Sequence, residues 1–150
     1  SRANASTIVL LLEIDGRAVL LCGDATPESL LTAVRNLLAV RGLDRLTLDA
    51  MTVPHHGSER NITPELVAAA PSRRYLFSSN GSHYRHPHAA AVATVVEFAP
   101  RGAELVFNYA TPYSSLWDDE HLQEEYGYRV RFPTSSDGGV LVDLDPLPGR

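Results

Sequence analysis

Two adjacent histidines, His55 and His56, follow an apolar run and precede a glycine in Val53-Pro54-His55-His56-Gly57-Ser58. Upstream, Asp24 ends a second apolar run in Cys22-Gly23-Asp24-Ala25. Imidazole nitrogens and carboxylate oxygens are ligands for zinc and other divalent cations, and a catalytic site of that kind takes three protein ligands and keeps a position for water. Asp24 and His56 are therefore the candidate metal ligands, each at the end of a buried strand, where ligands tend to gather and a glycine lets the chain turn. Asp24 has a competing use as a helix cap, with Thr26 as a rival for that job. Neighbours in an extended segment point to opposite sides, so one histidine of the pair is expected to meet the cation while the other hydrogen-bonds or touches substrate.

A second cluster, His83-Tyr84-Arg85-His86-Pro87-His88, holds three imidazoles in six residues. It has neither thiolates nor the helical i, i+4 spacing of a self-contained zinc site. His86 is its best candidate for a functional contact, because the following proline restricts its backbone and helps to aim the ring. The competing reading is a solvated histidine at a helix start, and that reading is preferred for His83, His88 and His121. Arg85 and Ser58 are candidates to bind an anionic oxygen. Cys22 and Trp117 are assigned to packing.

These residues need elements to hold them. Residues 6–14 and 18–22 are β-branched and leucine-rich around the turn Asp15-Gly16-Arg17, which predicts a β-hairpin buried on both faces. Thr26-Pro27-Glu28 opens a helix whose apolar stripe runs to Gly42. A strand over residues 46–53 then delivers the histidine pair into a loop. Thr63-Pro64-Glu65 repeats the start signal for a short helix ending before Pro71, and residues 74–79 form the next strand. A helix over 89–98, a strand over 103–109, an acidic helix over 116–126 and strands over 128–132 and 140–144 complete an α/β pattern without repeats.

The chain's 150 residues, 44% of them hydrophobic, are enough for one core. A net charge of −5 argues against general nucleic-acid coating or membrane-surface binding. No apolar run approaches the roughly 18 residues of a membrane span, so this segment is expected to be soluble. The single cysteine leaves the redox compartment open. The cytoplasm is the working expectation for the segment, and a membrane-attached or exported parent is compatible with it.

Taken in order, Ser6-Thr7-Ile8-Val9-Leu10-Leu11-Leu12, Leu20-Leu21-Cys22-Gly23-Asp24-Ala25, Val53-Pro54-His55-His56-Gly57-Ser58, Ser78-Ser79-Asn80-Gly81 and Arg85-His86-Pro87 resemble the C-terminal half of a metallo-β-lactamase-fold hydrolase. Within that superfamily the chain is most similar to the branch containing the metal-dependent domain of bacterial DNA-uptake competence proteins. The resemblance covers roughly residues 4–98. It implies a four-layer αββα sandwich, a two-metal site usually holding zinc or manganese, and hydrolysis of phosphoesters or related bonds, with a nucleic-acid-like substrate among the candidates. It further implies that Asp24 bridges the two metals, that His56 is the later histidine ligand, and that His55 and His86 act catalytically beside them. Ser58, Asn80 and Arg85 fall at substrate-contact positions. Arg85 stands where glycine is frequent and Ser82 where asparagine is common, which leaves substrate choice more open.

The superfamily's His-x-His-x-Asp-His signature occurs nowhere in the sequence. The expectation is that residues 1–150 are a single partial domain whose N-terminal half, with that motif, belongs to a longer parent. With two ligands the piece alone is expected to hold metal poorly and to be inactive. Apolar sheet surface left open by the missing half would favour a homodimer. The alternative is a non-catalytic binding module on the same fold with a decayed metal site.

Overall fold

The computed structural model describes residues 6–135 and 139–144. Its centre is a six-stranded mixed sheet with the strands side by side in chain order: β1 (Leu10–Ile14), β2 (Arg17–Leu21), β3 (Ala50–Thr52), β4 (Arg74–Phe77), β5 (Glu104–Phe107) and β6 (Arg129–Arg131). The β1–β2 pair is the antiparallel hairpin, and β2 to β6 are parallel. The connecting helices are α1 (Pro27–Arg41), α2 (Pro64–Ala69), α3 (Ala89–Phe98) and α4 (Glu120–Tyr126).

Local chemistry sets the helix ends. Thr26 and Thr63 each accept a hydrogen bond from the backbone N–H three residues on, with proline at the first helical position. Such caps contribute about 1 kcal/mol each. Gly42 stops α1 in the left-handed region at φ 64°. Parallel neighbours in chain order need crossovers, and crossovers of the usual right hand return every helix to the same face of the sheet. Leu20, Met51, Tyr75, Phe77, Leu105 and Phe107 point to that face and form one core with Leu30, Val34, Leu66, Val67, Val92 and Val95 of the helices.

Several sequence-based boundaries are corrected. The hairpin is not buried on both faces: Leu10, Leu12 and Ile14 are 49%, 50% and 68% exposed on the face without helices. Along β1, only the alternate side chain Leu11 packs against the core. The strand expected over 46–53 is regular only at Ala50–Thr52, preceded by an isolated Leu48–Ser72 bridge. The helix expected over 116–126 is a 3-10 turn, Ser115–Trp117, followed by α4, because Asp119 caps a new helix through Leu122 N–H. Residues 140–144 are not a strand; Arg131 donates to the Leu141 carbonyl across that segment. No helix among the described residues is long and apolar enough to cross a membrane.

The exposed stripe on β1 borders an edge of the sheet, a combination that promotes self-association. Replacing Leu12 and Ile14 together by lysine should leave the circular-dichroism spectrum unchanged and lower the sedimentation coefficient at high protein concentration. Identical sedimentation of parent and variant would refute this.

Candidate metal and substrate site

The loops that leave the C-terminal ends of β2, β3 and β4 meet at one edge of the sheet, the edge where open α/β sheets bind ligands. Backbone hydrogen bonds stitch them together. His55 N–H donates to the Gly23 carbonyl at 2.9 Å, and His88 N–H donates to the Gly57 carbonyl at 2.9 Å. Asn61 adds a buried strut, its amide donating to the Ala25 carbonyl while its oxygen lies 3.3 Å from His55 Nδ1.

The histidine pair does not lie in an extended segment. Pro54–Gly57 is a tight 3-10 turn in which His55 (φ 50°, ψ 44°) and His56 (φ 56°, ψ 23°) are both left-handed. For side-chain-bearing residues that backbone costs on the order of 1–3 kcal/mol each, and such strain persists where the surroundings enforce it, commonly at functional sites. The turn, rather than strand alternation, sends the two rings apart. His56 faces Asp24 and Ser78, and His55 faces Asn61 and the His86 ring, 5.6 Å between centroids.

Around His56 both ring nitrogens face polar partners. Nδ1 lies 2.8 Å from the Ser78 carbonyl oxygen, which can only accept, so Nδ1 carries the proton. Nε2 then faces Asp24 Oδ1 at 3.6 Å, with both side chains about half exposed. A proton on Nε2 would make this a salt bridge. A cation would make it a ligand pair, since two donors about 2.1 Å from zinc at the tetrahedral angle lie roughly 3.4 Å apart. The residues present therefore fit two positions of a metal site, with the outer nitrogen held by a carbonyl as ligating histidines usually are. Among the described residues no group of three or more His, Cys, Asp and Glu side chains gathers as a metal site would require.

Beside this pair lies an open cleft of about 400 Å³ lined by His56, Ser78, Ser79, Asn80, Ser82, His83, Tyr84, His86 and Tyr109. Asn80 is among its walls and also accepts Ser82 N–H, which shapes the loop. Ser58 and Arg85 do not line the cleft: Ser58 closes the turn through its N–H to the His55 carbonyl, and Arg85 is exposed at φ 57°. His86 is 7% exposed and is not a solvated surface group. Burial, and then the His88, His55 and His56 rings, hold it below the usual histidine value of 6.5, against an opposing pull from Asp24.

His88, read from sequence as a surface group, is a clasp. Its Nδ1 accepts Glu59 N–H and its Nε2 donates to the Tyr84 carbonyl, tying the β3 and β4 loops together. The sequence reading gave Ser78 no role beyond its place in a motif and passed over Asn61 and Tyr109; Ser78 and Tyr109 each stand just past a strand end, a usable signal, whereas nothing local marks Asn61. Cys22 is fully buried, and burial pushes its thiol up to about 12, in keeping with a packing role. No protein-family model, curated protein or solved structure matches this chain.

Gly57 sits where the loops touch: at φ 86°, an added Cβ would lie 2.7 Å from Pro87 Cβ and 3.1 Å from Phe77. Gly57→Ala should cost about 2–4 kcal/mol in urea unfolding, from left-handed strain plus overpacking. Gly42→Ala, with nothing within 4 Å of the new Cβ, should cost only the backbone part, about 1–2 kcal/mol. Equal losses would show that the close approach is unimportant. A second outcome concerns pH. Because folding lowers the His86 pKa, the unfolded chain takes up this proton first on acidification. The contribution is whole above about 6.5 and is lost as pH falls from there through the lower folded value. His86→Asn should flatten the fall of stability below that pH, and an unchanged slope would refute the assignment.

Proposed function

We propose that this chain contributes one side of a divalent-metal site in a hydrolase of phosphoesters or related bonds, with Asp24 and His56 as ligands. The observation that carries this reading is the opposed pair: His56 Nε2 faces Asp24 Oδ1 at 3.6 Å while the Ser78 carbonyl occupies Nδ1. Zinc or manganese bound there would supply Lewis-acid polarisation and a more acidic water. The chain's own groups do the rest. His86, kept neutral by burial, can accept or return a proton at the cleft wall, and His55 steadies that ring from behind. The Asn80 amide and the Ser78, Ser79 and Ser82 hydroxyls supply donors for phosphoryl oxygens along the cleft. Arg85, exposed between the cleft-lining Tyr84 and His86, adds positive charge to the same loop.

A catalytic centre takes a third protein ligand, so the reading requires at least one from outside the described residues. The finer architecture belongs to the same proposal: a four-layer αββα sandwich in which this sheet and its helices are one half. The exposed Leu10, Leu12 and Ile14 support a second sheet stacked on that face. The count of two donors favours a second reading, a non-catalytic module that holds its ligand in the hydroxyl- and aromatic-lined cleft without turning it over.

Zinc titration of the chain, followed through histidine ring nitrogen resonances, tests the assignment. His56 Nε2 is expected to shift first, and Asp24→Asn or His56→Ala should each weaken binding at least about tenfold. Binding that survives both changes, or that leaves the His56 ring untouched, removes the assignment.

A further inference from the structure

On the helical face, α3 and α4 border an apolar groove of about 470 Å³ that shares no lining residue with the histidine cleft. Val96 and Glu97 form one wall, and Trp117, Leu122, Tyr126 and Tyr128 form the other. Its volume lies within the ~300–1,000 Å³ usual for ligand sites. The Tyr128 hydroxyl donates to the Trp117 carbonyl at 2.9 Å, which fixes the far wall. Tyr126, 45% exposed, leaves one side open to a partner.

The surroundings select the charge of that partner. Glu97, Asp118, Asp119, Glu120, Glu124 and Glu125 are all exposed around the groove and α4. Asp118 and Asp119 accept hydrogen bonds from Gln123 and from Leu122 N–H, but among the described residues none of the six is held in an ion pair. Their field is felt inside: burial, followed by the Asp119 and Asp118 carboxylates, pushes the Tyr128 hydroxyl up to about 12. Among the cations of this region, the Arg101 guanidinium packs over Gly127 at the end of α4, and Arg129 follows Tyr128 on β6.

We infer that the α3–α4 groove docks a basic amphipathic helix of a partner protein, its apolar side chains on Trp117, Leu122 and Val96 and its lysines or arginines on the acidic rim. An aromatic-walled trough between two helices suits the ridge of a third, read as apolar anchors at i, i+3, i+4 and i+7. α3 lines the groove from Ala93 to Glu97, about 6 Å of its axis, so this wall faces a little over one turn of the guest. Cations beside Trp117 and Tyr126 would gain from the ring faces as well as from the carboxylates. This groove is independent of the metal reading and stands if that reading fails.

Trp117 is the only tryptophan in the chain, so its fluorescence reports on the groove. The probe is a synthetic helical peptide with leucines at i, i+3, i+4 and i+7 and flanking lysines; its control carries glutamates in place of the lysines. The lysine peptide should shift Trp117 emission saturably, with affinity falling as salt rises, while the glutamate peptide leaves it unchanged. Ala93→Arg, on the exposed groove-facing side of α3, should weaken binding at least tenfold without altering the fold by circular dichroism. No emission shift, an equal shift with the glutamate peptide, or full binding by the Ala93→Arg variant overturns the inference.

Discussion

Two loops approach each other at Gly57 more closely than any side chain allows, and the candidate site is built around that approach. With no Cβ at this position, the turn holding His55 and His56 seats directly on Pro87 and Phe77. His88 N–H then reaches the Gly57 carbonyl, and the His88 ring closes the same seam from the other side through Glu59 and Tyr84. The contact is backbone-dense and leaves little room for adjustment. It fixes the distance between the ring that faces Asp24 and the ring that lines the cleft.

The left-handed pair His55–His56 follows from the same constraint. An extended chain here would carry the residues past the sheet edge, whereas the tight turn folds them back over it. The cost of two unfavourable backbone conformations is offset by the hydrogen bonds that surround them: His55 N–H to Gly23, Asn61 to Ala25, and His56 Nδ1 to Ser78. One of these bonds also decides chemistry. By accepting a hydrogen bond from Nδ1–H, the Ser78 carbonyl keeps the proton on Nδ1 and leaves Nε2 as the nitrogen that meets Asp24.

Most elements were legible in the sequence because their signals are local. The Thr-Pro-Glu starts at 26 and 63 and the glycine stop at 42 mark helix ends through caps that need no tertiary partner. The βα alternation marked the α/β class, whereas the parallel pairing and chain-order arrangement of β2 to β6 came from the structure. With one exception, what escaped was set by partners distant in sequence. The burial of β1 depends on which face the helices cover, and hydrophobicity alone cannot say that one side stays open. The exception is local: within the acidic run over 116–126, Asp119 caps a second helix start through Leu122 N–H. At the site, the residue types at 24, 56 and 86 were readable, whereas the left-handed turn and the clasp role of His88 arise from contacts between loops well separated in the chain, such as His55 with Gly23 and His88 with Gly57.

The strand order carries a consequence for how the chain acquires its shape. Each strand from β2 onward is laid beside the one made just before it, so no segment waits for a distant partner. Sequence separation between paired strands stays near the length of a single crossover, which favours rapid folding relative to sheets whose strands are interleaved. A ribosome releasing this chain from its N-terminus would add one βα layer at a time to a template already in place. The loops of the candidate site would then come together in order, the Asp24 loop first, the histidine turn second, and the His86 loop last.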